Sequence, residues 1–282
     1  MANTFIKSPM NYVGGKYKLL PQIFPLFPKK INIFVDLFCG GFNVGVNVNA
    51  NKIIGNDLCK EVIEVYKGIQ REGTNNSLAL IKNEIQKYNL NKTNEEGFKA
   101  IRDYYNKGNK DWYIFYAMLT HAFNYQIRFN KQGDYNMPFG KNRSHFNPNM
   151  EKNFINFSNA IANKKIQFTN CSFETLNINN LTSDDFVYLD PPYLITCASY
   201  NENDGWNESK ERQLLDLCDN LNARGVKFAL SNVLEHKGLK NELLISWASK
   251  YNIHYLNYNY NNCNYQDNNK NNKTVEVLIS NY

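Results

Sequence analysis

Residues 187–189, Val-Tyr-Leu, form an apolar run that stops at Asp190, and Pro191, Pro192 and Tyr193 follow. Two prolines donate no ladder hydrogen bonds, and the first biases Asp190 toward extended backbone. One carboxylate acceptor and one aromatic ring are therefore held on a stiff corner. Two more acids end apolar strand-like runs, Asp36 and Asp57. Ligands of open α/β sheets sit outside the carboxyl ends of the strands, so these three acids are the first candidates for chemistry. Gly40 and Gly41 follow Asp36 and would let a ligand approach the backbone closely. Asp57 lies 21 residues after Asp36, about the separation at which an acid reaches ribose hydroxyls. The turn lacks the G-x-G-x-x-G form, which counts against a nicotinamide or flavin dinucleotide. Taken singly, each feature is also the mark of a plain strand-ending turn.

The elements that must position these residues fall into two kinds. Strands are expected at Asn32–Asp36, Lys52–Asn56, 166–170, 186–190, 226–230 and 274–280, with a short helix after Phe42 and a longer one from Asp57 to Gln70. Residues 77–88, 94–106, 111–124 and 148–162 carry helical apolar spacing. Within 111–124 the rings of Trp112, Tyr113, Phe115, Tyr116 and Phe123 read as core. Between these helices, K-Q-G-D at 131–134 separates two aromatic-rich arms, which predicts a hairpin over 125–143. The Asn-rich stretch 257–273 is read as a long loop. Residues 1–63 and 166–282 thus enclose an inserted, mostly helical module at 64–165. The pattern predicts an α/β fold, a parallel or mixed sheet covered by helices.

Composition narrows the function classes. The six cysteines (39, 59, 171, 197, 218 and 263) form no C-x-x-C pair, and four scattered histidines add no ligand spacing, so neither a metal site nor a disulfide framework is expected. The N-terminus M-A-N-T-F-I-K-S-P carries no apolar leader, and Tyr113–Phe123 is too short to span a bilayer, so a cytoplasmic protein with no membrane partner is expected. The net charge is +6, and residues 126–165 hold seven bases against two acids. Such a segment is either a solvated face or a footprint for phosphates.

Six motifs in order then carry a resemblance: S-P-M-N-Y-V-G-G-K (8–16), V-D-L-F-C-G-G-F (35–42), G-N-D-L (55–58), F-N-Y-Q-I-R-F-N-K-Q-G-D-Y-N-M-P-F-G (123–140), D-P-P-Y (190–193) and L-S-N (230–232). The chain resembles the Dam-like, alpha-group DNA adenine-N6 methyltransferases over nearly its whole length. That resemblance implies a Rossmann-like methyltransferase sheet, S-adenosylmethionine as donor with S-adenosylhomocysteine as product, and an inserted target-recognition domain for double-stranded DNA. It implies cofactor contacts from Tyr12, Gly15, Lys16, Asp36, Gly40, Asp57, Phe173 and Asp190, with Lys16 meeting the methionine carboxylate and Asp57 the ribose. Asp190, Pro191 and Tyr193 match the catalytic motif. Arg128, Asn130, Tyr135, Asn136, Lys141 and Arg143 fall in the expected DNA-binding segment. The chain departs from the pattern at three places. Phe42 stands where many members have a third glycine, Ser172 where an aspartate is common, and Asn11 where a lysine usually precedes the aromatic.

The chemistry fits the residues. Adenine's amino lone pair is delocalised into the ring, and preplaced acceptors at Asp190 and the Pro191 carbonyl would localise it as positive charge develops. Tyr193 offers a ring on which an extruded base can stack, since a base cannot react inside the duplex. Sequence alone therefore assigns Tyr193 a role through its ring rather than its hydroxyl. At the hairpin, Arg128, Lys141 and Arg143 suit phosphates, while Tyr135 and Asn136 suit base edges. N4-cytosine methylation, methylation of RNA or of a protein amide, and a catalytically silent DNA-binding protein remain as alternatives. A partner restriction endonuclease, in a bacterial or phage-infected cell, fits the same resemblance.

Overall fold

Ile33–Asp36 and Phe186–Leu189 are short apolar runs, and both become covered strands at the middle of a sheet. A computed structural model describes residues 5–196, 205–257 and 274–282. In chain order its elements are α1 (Leu20–Ile23), β1 (Ile33–Asp36), β2 (Lys52–Asn56), α2 (Lys60–Lys87), α3 (Glu95–Asn106), α4 (Trp112–Leu119) and α5 (Pro148–Ala162). Then come β3 (Ile166–Thr169), β4 (Phe186–Leu189), α6 (Glu208–Ala223), β5 (Lys227–His236), β6 (Leu239–Lys240), α7 (Glu242–Ala248), β7 (Asn252–Leu256) and β8 (Thr274–Ser280). Most of the Asn-rich stretch read as a loop, 258–273, lies outside the described residues, as do Cys197 and Cys263.

The chain divides into two compact units. One, formed by residues 18–39, 48–56 and 171–282, holds strands in the order β2-β1-β4-β5-β8-β7, with β6 folded back on β5. The pairs β2–β1, β1–β4 and β4–β5 are parallel, and β5–β8 and β8–β7 are antiparallel. This is the expected mixed α/β, Rossmann-like arrangement. Every residue of β4 is buried, the mark of a parallel strand covered on both faces. Val35, Val187, Leu189, Phe228 and Leu230 pack with Leu214, Cys218 and Leu221 of α6 and Leu244 and Ala248 of α7. Each large side chain so buried contributes about 1.5–3 kcal/mol relative to exposure.

The other unit, residues 1–17, 40–47 and 57–170, is mostly helical and contains β3. It is drawn wider than residues 64–165: α2 starts at Lys60 and runs through position 63 without a break, and the Tyr12 ring packs on Gly40. The two helices expected at 57–70 and 77–88 are one element, α2, interrupted at Gly73, whose φ is +73°. The helix expected to reach residue 124 ends at Leu119, and Asn124 and Tyr125 both take positive φ. No helix follows Phe42: residues 43–47 are turns, closed by Val46 N–H to Phe42 O and Asn47 N–H to Val44 O. Asparagine begins helices in both units: Asn94, Asn147, Asn207 and Asn241 each accept a backbone N–H at the first turn. Among the described residues no helix is long and apolar enough to cross a membrane.

Candidate active site

In the sheet unit, β4 delivers Asp190 and the two prolines directly after Leu189. The Tyr193 hydroxyl turns back on this corner, donating to Asp190 Oδ1 at 3.0 Å, with Glu276 Oε1 of β8 at 3.4 Å. One proton serves one acceptor well, and the shorter contact is to Asp190. Burial, then the neighbouring Asp190 and Glu276 carboxylates, push the Tyr193 phenol well above its ordinary pKa, so it remains a donor. The hydroxyl is therefore engaged, a use that sequence reasoning did not assign to it. Glu276 is buried and was not foreseen, because nothing in T-V-E-V-L-I-S separates it from an outward-facing strand residue.

Asp36 is buried at the end of β1, opposite Gly55 and Tyr188 in the strand register. Past it, Asn56 stitches two strand-end loops together: its side chain donates to the Leu37 and Cys171 carbonyls and accepts from Cys171 N–H. Phe173 packs against Phe38 with ring centroids 5.5 Å apart and against Trp206 at 5.6 Å. Trp206 meets Phe38 edge-on at 5.7 Å. At the departure Ser172, the carbonyl starts a turn by accepting from Thr175 N–H and Leu176 N–H.

The helical unit holds the other expected cofactor residues. Gly40 has φ +43°, and a Cβ there would stand 2.8 Å from the Tyr12 ring, so only glycine fits both its backbone and its neighbour. Its N–H donates to Asp57 Oδ2 at 2.8 Å, and its carbonyl accepts from the buried Tyr66 hydroxyl at 2.7 Å. Asp57 Oδ1 accepts from Cys59 N–H at 2.8 Å, and Asn170 donates to the Asp57 and Leu58 carbonyls. Burial raises the Asp57 pKa, opposed by backbone donors at Cys59, Gly40 and Leu58. Gly15 N–H closes a turn onto Tyr12 O, and Lys16, buried, donates to Gly14 O at 2.9 Å.

Phe42 keeps the backbone a glycine would have there, with φ +56°. Its buried ring packs on Tyr66, Phe157 and Phe168 at 5.8, 6.4 and 5.0 Å. Gly45 makes room, since a Cβ there would fall 2.0 Å from that ring. Ring burial thus offsets the roughly 1–2 kcal/mol that a left-handed residue costs.

The expected hairpin exists as two isolated antiparallel bridges, Ala122 with Phe139 and Phe129 with Tyr135, rather than as a strand ladder. Asn130 organises the turn: its Oδ1 accepts from Gln132 N–H and Asp134 N–H. Exposed Arg128 clasps Asn136 through Nε to Oδ1 at 2.8 Å and a second bond to its carbonyl at 3.0 Å. Lys141 and Arg143 are exposed, and the Arg143 guanidinium lies 5.4 Å over the Phe123 ring. Asn11 donates to Asn124 O at 3.0 Å. Tyr135 does not fit the base-reading role. It is 1% exposed, donates to Gln126 O at 2.7 Å and packs edge-on to Phe115 and Phe129. Presenting it to a base would open this unit's core. Among the described residues, no cluster of three or more His, Cys, Asp or Glu is placed to hold a metal ion.

The family model for D12 class N6 adenine-specific DNA methyltransferases matches residues 12–262. The chain is 51% identical over 284 residues to the type II methyltransferase M.FokI of Planomicrobium okeanokoites, a match covering 99% of this chain and 43% of that protein. It is 47% identical to the modification methylase StsI of Streptococcus sanguinis, with the same coverage of each. With the type II methyltransferase M1.LlaDCHI of Lactococcus lactis subsp. cremoris it shares 28% identity, over 96% of this chain and 94% of that one. The chain thus spans under half the length of the first two relatives and nearly all of the third's.

Proposed function

We propose that this chain, which belongs to the D12 class N6 adenine-specific DNA methyltransferase family, moves a methyl group from S-adenosylmethionine to the N6 amino group of adenine in double-stranded DNA. The observation that carries this reading is the Asp190–Tyr193 corner after β4, with the Tyr193 hydroxyl fixing Asp190 Oδ1. The donor supplies an electrophilic sulfonium methyl. The donor set suits such a group: carboxylates for ribose hydroxyls, aromatic faces for a base, and a lysine for a carboxylate. Tyr12, Gly15, Lys16, Asp36, Gly40, Asp57, Phe173 and Asp190 are the residues that the family resemblance assigns to it. Asp57 suits ribose because two backbone N–H groups already fix its carboxylate.

Asp190 and the Pro191 carbonyl accept the two amino hydrogens of an extruded adenine, turning its lone pair toward the methyl. The amino nitrogen gains a methyl and gives up a proton, for which Asp190 is the placed acceptor. Acceptors fixed in advance lower the barrier without reorganising during reaction, and alignment supplies much of the rest. Tyr193 stacks its ring on the flipped base. Arg128, Lys141 and Arg143 hold phosphates, and Asn130 and Asn136 shape the segment that faces the bases. Activity as the modification partner of a restriction endonuclease, in the cytoplasm of a bacterial or phage-infected cell, is part of the same proposal. Transfer of labelled methyl from S-adenosylmethionine to duplex DNA tests it. Transfer by the parent and its loss in Asp190→Ala would support the reading, and equal transfer by both would remove Asp190 from the chemistry.

A further inference from the structure

The sheet unit contains a buried carboxylate that the chemistry above does not use. Glu211, in the first turns of α6, is fully buried. Three side-chain donors converge on it: Trp206 Nε1 reaches Oε2 at 2.5 Å, while Asn232 Nδ2 and Asn241 Nδ2 reach Oε1 at 3.1 and 3.3 Å. Neither asparagine can turn its oxygen to Glu211, because Asn232 Oδ1 accepts from Val233 N–H and Asn241 Oδ1 accepts from Leu244 N–H. An indole has only a donor to offer. The centre of this cluster must therefore be a group that accepts from all three sides, and an ionised carboxylate is the side chain that does. Burial raises the Glu211 pKa, and the three donors oppose that rise, as does its place near the amino end of a helix.

The position of Trp206 shows what is being fixed. Asn207 caps α6, so Trp206 and Glu211 occupy the two places that in many helices hold a hydrophobic staple. Here the staple is a hydrogen bond, and it sets the angle at which the indole leaves the helix. That indole is the edge-on neighbour of Phe38 and packs on Phe173, one of the aromatic residues assigned to the donor. Phe38 is only partly covered, so the three-ring group keeps an accessible face. Asn232 belongs to the L-S-N run on β5, so the cluster ties this ring group to the sheet itself.

We propose that Glu211 is a positioning residue: through Trp206 it holds the Phe38–Phe173–Trp206 rings in the arrangement that receives the base of the methyl donor. This rests on the assignment of S-adenosylmethionine as donor. Side chains that support a binding group fix it to within about 0.5 Å, and looser support weakens the site. In Glu211→Gln, one donor must face the new amide N–H₂, and the indole loses its fixed angle.

The test is calorimetric binding of S-adenosylhomocysteine to the full chain and to Glu211→Gln, Trp206→Phe and the double variant, with tryptophan emission recorded without ligand. Glu211→Gln is expected to weaken binding about tenfold and to shift the emission component that Trp206→Phe removes. The double variant is expected to bind no worse than the weaker single, because both changes break one latch. Binding by Glu211→Gln within twofold of the parent, or losses that multiply in the double variant, would overturn the proposal. If Glu211→Gln does not fold, Trp206→Phe decides, and a loss under threefold overturns it. A parent that does not bind S-adenosylhomocysteine would overturn the donor assignment and the proposal with it, a result distinct from equal binding by parent and variants.

Discussion

Replacing Tyr193 by phenylalanine removes one oxygen and leaves the ring. The oxygen donates to Asp190 Oδ1 at 3.0 Å, and a hydrogen bond to a charged acceptor contributes roughly 1.5–3 kcal/mol. At about 1.4 kcal/mol per tenfold in rate, losing the bond that orients the carboxylate proposed to act on the base should slow methyl transfer about 10- to 100-fold. The stacking proposed for the ring on a flipped base, worth roughly 1–3 kcal/mol, should survive in Tyr193→Phe and be lost in Tyr193→Ala, which should be slower still. The phenol is held well above its ordinary pKa by burial and by the Asp190 and Glu276 carboxylates, so it stays protonated through the usual assay range. The parent-to-Phe rate ratio should accordingly be flat between about pH 7 and 9. Single-turnover rates at saturating donor, with duplex affinity measured separately, give these quantities. A Tyr193→Phe rate within threefold of the parent would refute the orienting role of the hydroxyl, and equal rates for Phe and Ala would refute stacking.

Phe42→Gly frees a strained backbone position but removes a ring buried against Tyr66, Phe157 and Phe168. A net destabilisation of about 2–4 kcal/mol in denaturant unfolding is expected, and unchanged stability would contradict it. His121 is buried, and burial lowers its pKa from 6.5 to about 4. The unfolded chain then binds more protons between those values, so stability should fall as pH drops from 6.5 toward 4, by about 3 kcal/mol in total. Melting curves should show a smaller acid loss for His121→Gln than for the parent; parallel losses would count against this. Lys141→Ala and Arg143→Ala should each flatten the plot of log DNA affinity against log salt by about 0.9 on target and random duplexes alike. An unchanged slope would place those side chains away from phosphates.

The sheet and the acids at its strand ends were legible because both are local signals. Apolar runs define β1 and β4, and Asp190 and the prolines mark where the second one stops. Gly40 was legible as a turn position for a similar reason, since glycine readily takes the positive φ found there. What was hidden depends on partners distant in sequence. Tyr135 reads as a polar-tipped loop aromatic until Phe115, Phe129 and the Gln126 carbonyl are known to surround it. Glu276 and Glu211 look like ordinary surface acids in a strand and a helix, and only folding puts a tyrosine beside one and three donors around the other. Phe42 looked like a broken glycine motif. Its φ of +56° shows that the loop keeps a glycine-like conformation, and the space left at Gly45 admits a core ring.

Nucleoside analysis after methyl transfer tests the proposed function most directly. Purified chain is incubated with labelled S-adenosylmethionine and duplex DNA, the DNA is digested, and the labelled nucleosides are separated by mass. Label in N6-methyldeoxyadenosine, absent with Asp190→Ala, is the predicted result. Label in N4-methyldeoxycytidine instead, or none in DNA although the chain binds S-adenosylhomocysteine, would contradict it.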